Sequence, residues 1–541
     1  KRSTKPLTSF LETSNYLLNE NIIYQSKATV WKSGTTDFLF DYDTVPVVHF
    51  EKLNLICYSN EDSAVIYDTH GDYFPLKSIW KGNKGKVNWL RAGLPEDEVH
   101  AYLGKYEIYL GFSKYTADSV KFFHKKYWSK ALLGTLEEKV LANVTAENAS
   151  YPRFTSYFTD IEIKDVFNDI DFKGGIEMHG SKLYGLGNEL QPAHLVFKKD
   201  GKDFISIYSR NIVIYPDRLA SALSSVTIIC KEDSIHHPGL QLNYVDANKE
   251  LSLSRTGETT SKSPFYDTYH NLDIYSEAIY WTMNEPSLSF EAVKGSVGTG
   301  KASFESSNFF SEARYLKLQG IDLVNPLNLI KRFTDRYNVR TIGVQAFAEE
   351  NLMPQEQVIA MFVNLSNRGF VIYDRDSKSA LIKDKLFDYI NAMNRKVDYD
   401  VLQFNSEAFR SKNATLELDS FGLKLFGVPF VYLSDSQNVF IYPENEQLVM
   451  RKGMDFTFSG RVHAGTFDFY ARNCEFNYDQ FKIGMPVIDS MSFRVSSFER
   501  NEAGERYPVK VKNVIADLGG DLYIDDPNNK SGLKQYPKFP I

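Results

Sequence analysis

The chain is poor in the residues that carry most recognisable chemistry. Its 541 residues hold three cysteines, Cys57, Cys230 and Cys474, odd in number and far apart. That excludes a disulfide framework and a CxxC metal pair. No run of about eighteen apolar residues is present, so nothing reads as a membrane-spanning helix. Positive charge is not in excess: 62 Lys and Arg stand against 69 Asp and Glu, a net of −7. A surface that follows nucleic-acid phosphates needs the opposite balance. HExxH, GxSxG and a usable Cys-His pairing are missing as well. The chain opens Lys1-Arg2-Ser3, with neither Met nor an apolar signal region. That reads as a product whose targeting segment is already gone, and the end at Ile541 leaves room for a longer parent.

Aromatic residues are abundant instead: 39 Phe and 33 Tyr, against 5 Trp. Flat aromatic side chains suit a pleated, half-buried surface. Between Asn413 and Val495 apolar residues alternate with polar ones in short runs cut by Gly, Pro, Asp and Asn. Leu416/Leu418, Phe456/Phe458, Phe467/Phe469 and Phe476/Tyr478 are examples. A period of two predicts strands with one buried face. The texture recurs over residues 1–90, which read as strands, and from Ile161 to Val245. Gly82-Asn83-Lys84-Gly85, between Trp80 and Trp89, reads as a hairpin loop. Val120 to Leu133 is ambiguous, because Val120, Phe123, Tyr127 and Ala131 also fit a helical stripe. Asp-Ser recurs before predicted strands at 62, 118, 233, 435 and 489, as an Asx turn would. The spacing hints at a unit of about 55 residues. The fold class is mainly β, with stacked short-strand layers of solenoid, jelly-roll or sandwich type.

One segment departs from this pattern. Asn325 can cap a helix with Pro326 at its first position and Leu327, Ile330, Phe333 and Tyr337 as its stripe. Val344–Glu350 predicts a second helix. Met353-Pro354 opens a third, with Val358, Met361, Phe362 and Leu365 inside and Gly369 as a left-handed stop. Phe370–Tyr373 and Ala380–Ile382 pair as a hairpin, and Lys383–Met393 is a last helix. Three helices and then a hairpin is the order of a winged helix, and the segment resembles that family. The family often binds DNA through its third helix. Here residues 325–400 hold eleven Lys/Arg and ten Asp/Glu, too even a balance for that use. The expected divisions are 1–150, a β-rich domain; 151–312, a second; 313–400, the winged-helix-like insert; and 401–541, a third β-rich domain.

Candidate chemistry is sparse. Gly295–Lys301 matches G-x-x-x-x-G-K after a predicted strand, Leu288–Val293. Ala302 stands where a P-loop needs a hydroxyl for Mg²⁺, so it reads as a Gly-rich loop. Gly185-x-Gly187 lacks the third glycine of a dinucleotide fingerprint. Asp233, His236 and His237 could bind a metal, as could Asp267, His270 and Asp273 if they share a helix face. Adjacent strand histidines point apart, and every member also suits a turn or a surface. A carboxylate pair for glycoside hydrolysis could sit anywhere among 69 acids. Tyr and Trp between Tyr266 and Trp281 could stack on sugars if exposed. No catalytic, cofactor-binding or metal residue is assigned on these grounds, and no cofactor is expected.

Asp455 to Phe467, DFTFSGRVHAGTF, resembles repeat strands of AsmA/TamB-type and lipopolysaccharide-transport bridge proteins. Phe172–Gly180 and Asp517–Asp525 share the cadence. Those families stack β layers into grooves that carry lipid across the periplasm. The whole chain also resembles large β-rich envelope proteins of Bacteroidota. A winged helix is not part of the bridge families. The resemblance implies a non-enzymatic cell-envelope scaffold or conduit, in the periplasm or at the outer membrane, acting in transport or assembly. Its implied partners are other envelope proteins, with lipid or glycan, and no nucleic acid. The alternatives are a carbohydrate-binding or carbohydrate-active β-solenoid and a protein-docking, adhesin-like module.

Overall fold

Alternating side chains dominate the local structure, as a period of two requires. The computed structural model describes all residues except 1–4, 43–44, 60, 189, 256–261, 296–299, 321–323, 376, 409–411, 501–502, 505 and 512–517. Strands account for 52% of the chain and helices for 14%, so the β reading holds. Two compact units divide it: Lys1–Phe197 with Tyr208–Ser221, and Lys198–Ile207 with Ala222–Ile541.

The first unit is built from antiparallel strands. Pro46–Ser59 folds back on Asp62–Phe74 over most of its length. The core is aromatic: Trp89 and Phe122 lie with ring centroids 5.0 Å apart, and Phe122 stacks on Phe154 at 4.3 Å. Three expectations need correction here. Residues 5–20 form a helix, α1 (Lys5–Glu20), inside the stretch read as strands. The ambiguous segment, Val120–Leu133, holds no helix: it takes in the end of strand Lys114–His124, where Val120, Phe122 and His124 are buried in alternation, then a turn, then the start of strand Leu132–Lys139. Residues 82–85 do not close a hairpin: Ile79–Asn83 pairs with Asp62–Phe74 and Lys105–Tyr109, while Lys86–Asn88 pairs with Val99–Tyr102. Gly85, at φ 135°, lets the chain pass from one set of strands to the other.

In the second unit Asp233–Val245 starts two runs of antiparallel strands. One run passes through Glu250–Ser254, Ala278–Thr282, Ser287–Glu291 and Ala414–Glu417. It continues through Leu423–Leu425 and Leu448–Met450 to Phe456–Ala464. The other passes through Phe265–Asp267, Leu272–Tyr275, Gly300–Ser306 and Gln403–Ala408. Phe265 of the second run meets Phe290 of the first edge to face at 5.8 Å. Each fully buried Phe of this kind contributes roughly 1.5–3 kcal/mol of transfer free energy.

The α-helices among the described residues of this unit sit inside one hairpin. Gly300–Ser306 pairs directly with Gln403–Ala408, from Gly300 opposite Ala408 to Glu305 opposite Gln403. Everything from 307 to 402 is therefore an insertion whose two ends are held together by the sheet. Closing so long a loop costs little more than closing a short one, which is why a hairpin tolerates it. The insertion runs α2 (Glu312–Gln319), α3 (Pro326–Tyr337), strand Thr341–Gly343, α4 (Val344–Asn351) and α5 (Gln355–Ser366). It ends with strands Val371–Asp374 and Ser379–Ile382 and α6 (Asp384–Met393). Asn325 Oδ1 accepts from the Leu327 amide, with Pro326 in the first turn, as the cap pattern predicts. Leu327, Ile330, Phe347, Val358 and Phe362 are buried in a core of the module's own. The strand at 341–343 and α2 have no counterpart in the sequence reading.

The five Asp-Ser pairs singled out above, of seven in the sequence, occupy different settings. Those at 62 and 233 open strands, and that at 435 lies in the turn between Val431–Ser434 and Val439–Pro443. Those at 118 and 489 lie inside strands, at register shifts. The last two are bulges, not Asx turns before a strand.

Candidate functional site: a charged cavity beside the helical module

Period-two geometry places Asp273 and Tyr275 on one face of strand Leu272–Tyr275. It does the same for Ser303 and Glu305 on Gly300–Ser306. The registers set Asp273 opposite Glu305, and Glu305 opposite Gln403. Two acids directly across from one another repel unless each is countered. The insertion supplies both counter-charges. Lys385, near the start of α6, donates from Nζ to Asp273 Oδ2, the two side chains being 9% and 4% exposed. Arg314, in α2, makes a two-pronged pair with Glu305, both contacts at 2.9 Å. Gln403 Nε2 donates to Glu305 Oε1 at 2.9 Å and to Ser303 Oγ at 3.0 Å. The seam is closed further by Ser263 and Ser366 hydroxyls at 2.9 Å, and by Asp400, which accepts from Ser306 and Tyr478.

Between these pairs lies a cavity of about 320 Å³. Its aromatic walls are Tyr275, Phe309, Phe370 and Tyr389, and its polar lining is Ser303, Glu305, Arg314, Asn367, Arg368, Lys385 and Gln403. A smaller cavity of about 190 Å³ shares Phe309, Lys385 and Tyr389 with it. Gly369 follows α5 at φ 79°, and a Cβ there would come within 3.1 Å of Asp273 Oδ2. The positive φ favours glycine there, and a side chain would press on Asp273. Burial, with Asp273 and Glu305 nearby, pushes the Tyr275 phenol well above its ordinary range. Lys383 lies over the Tyr266 ring at 3.3 Å, and burial pushes its ammonium down to about 8.

The sequence candidates resolve differently. Asp233 pairs with Lys452 at 2.7 Å, His236 meets Thr227 Oγ1 at 3.1 Å, and His237 meets the Ser263 carbonyl at 2.9 Å. They do not converge. Asp267, His270 and Asp273 share no helix: they belong to a hairpin, where Asp267 Oδ1 accepts from the Tyr269 and His270 amides. His270 bonds Asp267 and the Phe421 carbonyl, whereas Asp273 turns to Lys385. Of the Gly-rich loop, 296–299 lie outside the described residues. Lys301 enters a strand, where a phosphate-binding loop needs a helix, and pairs with Glu407 at 2.9 Å. Gly185 is explained by packing, since a Cβ would lie 2.2 Å from the Phe172 ring. The three cysteines are buried, and burial pushes each thiol up to about 12.

The aromatics proposed for sugar stacking are inside: Tyr266, Tyr269, Tyr280 and Trp281 are buried. A row of aromatics lies elsewhere, with Phe430 and Tyr432 exposed and Phe440 and Tyr442 half-buried. Phe430, Tyr432, Phe440 and Tyr442 follow one another at ring distances of 5.5, 5.6 and 5.5 Å. The cavity residues escaped sequence reading because they come from five elements spread over some 130 positions. The available signal was local and slight: Asp273 interrupts an otherwise apolar strand, whereas Glu305 sits in a strand that also holds Lys301, Ser303 and Ser306.

Fold and cavity together define a mainly-β protein with a helical insertion clamped to its sheet. Comparison with protein-family models, curated proteins and solved structures finds no match for this chain.

Proposed function

We propose that this chain is a non-enzymatic cell-envelope scaffold whose β body presents the inserted module to a protein partner. The observation that carries this reading is the mounting. Asp273–Lys385, Glu305–Arg314 and Ser263–Ser366 fix the module to the sheet through buried or half-buried polar bonds. Groups that could do chemistry are spent on holding a shape. The order helix, strand, two helices, two strands over 326–382 is that of a winged helix, and we read it as one. Nucleic-acid binding is disfavoured by α5, whose outward residues Gln355, Glu356, Gln357 and Asn364 are neutral or acidic. Exposed Tyr337, Val339 and Leu352 suit a protein contact. The stacked β runs are consistent with the bridge-protein resemblance. The partly exposed row at Phe430–Tyr442 favours carbohydrate binding as a second reading.

Cell fractionation and a mobility-shift assay test the proposal together. The expected result is recovery with the envelope fraction and no shift of duplex DNA at about 10 μM protein. Recovery in the cytoplasm, or a shift at sub-micromolar protein, would sink it. Strong retention on a glycan array would select the second reading.

A further inference from the structure

The cavity beside the module has features that mounting alone does not require. Its lining carries three cations, Arg314, Arg368 and Lys385, and one acid, Glu305; Asp273 behind Lys385 is the second. Two cations are matched to the two acids. Arg368 is the surplus. Among the described residues its side chain bonds only a neutral group, the Asn364 amide, at 3.0 Å. Beside it, Asn367 Oδ1 is buried with no hydrogen-bond partner. A buried acceptor left unpaired costs about 1–3 kcal/mol, so its presence in a cavity wall needs a reason. The walls opposite are flat rings: Phe370 and Tyr389 meet edge to face at 4.9 Å, and Phe309 carries the Arg314 guanidinium at 4.7 Å.

We infer that this cavity is a binding site for a small organic anion, a carboxylate or phosphate monoester on a flat ring that bears a hydrogen-bond donor. Arg368 takes the anion, where a planar guanidinium offers two parallel donors. On binding, the Asn367 side chain turns so that its Oδ1, otherwise buried and unpaired, takes the donor. The ring fills the space between Phe309, Phe370 and Tyr389. A volume of about 320 Å³ is at the small end of ligand pockets, which limits the occupant to one ring and its substituents. Tyr275, Ser303 and Gln403 of the sheet line the same cavity, so an occupant that fills it contacts sheet and module at once and its binding stabilises the mounted arrangement by mass action.

The test is titration calorimetry on the full chain. The probes are para-hydroxybenzoate, phenyl phosphate, neutral para-hydroxybenzyl alcohol and inorganic phosphate. Binding of at least one aromatic anion below about 1 mM is expected, with the alcohol and inorganic phosphate at least about tenfold weaker. The two aromatic anions separate carboxylate from phosphate as the preferred group. Arg368→Gln should weaken the preferred anion about tenfold while leaving thermal unfolding in place, since Arg368 is half-buried and carries no described ion pair. Leu318 also lines the cavity, and Leu318→Trp, which adds bulk there, should abolish binding. No binding of either aromatic anion up to about 5 mM would overturn the inference. So would alcohol binding as tight as the anions, or affinity unchanged in both variants.

Discussion

Changing Lys385 to Met is expected to destabilise the second unit by about 3–5 kcal/mol, an effect out of proportion to the loss of one salt bridge. The reason lies in what stays behind. Asp273 is 4% exposed and faces Glu305 across the strand pair, so without Lys385 it is a buried charge beside another acid. Lys383 already feels the Asp273 charge but lies over the Tyr266 ring at 3.3 Å, so it offers weaker compensation than the direct Lys385 contact. Changing both partners, Asp273→Leu with Lys385→Met, should recover most of the loss. An apolar pair of similar volume carries no desolvation penalty. Urea unfolding of parent, single and double variants measures this, with hydrogen exchange in α5 and α6 as the local readout. The argument fails if the single variant lies within about 1 kcal/mol of the parent, or if the double variant is no better than the single.

The contrast between these clamps and the rest of the chain shows what a sequence makes legible. Strands were readable where alternation faced one core, as at Phe456/Phe458. The helix at Pro326–Tyr337 was readable because Asn325, Pro326 and the Leu327–Ile330–Phe333 stripe all agree. Helix α1 was not: Leu11 and Leu18 of its apolar spacing are exposed and Leu17 is the buried one, so no clean stripe marks it. The cavity was illegible for a different reason. Asp273 and Glu305 look like ordinary polar residues until the register sets them side by side. Only the folded insertion brings Arg314 and Lys385, 9 and 112 positions from their partners, over them. Local pattern fixes which face a residue takes; charge pairing across an insertion depends on topology that no local pattern encodes.

Acid should loosen the same seam through a histidine. His237 is 1% exposed, its Nδ1 accepts from the Gly239 amide at 3.0 Å, and its Nε2 lies 2.9 Å from the Ser263 carbonyl. One acceptor and one donor match a neutral ring with its proton on Nε2. Burial, then Arg255, pushes its pKa down to about 3. The unfolded chain binds the proton near pH 6.5, the folded chain only near 3. Stability is therefore full above about 6.5 and is lost as pH falls towards 3, by on the order of 4 kcal/mol from this group alone. His236, pushed down to about 4 by burial, acts in the same direction. Asp400 and Asp455, raised by burial, act against it as they take up protons. The loss should be felt first at the module, because Ser263, which His237 holds by its carbonyl, holds Ser366 of α5 by its hydroxyl. Urea midpoints at pH 7.5, 6, 5 and 4 measure the slope, and His237→Gln, which can still donate to Ser263, should flatten it by up to one proton. An unchanged slope in that variant would remove His237 as the cause and leave the acid sensitivity to groups outside the seam.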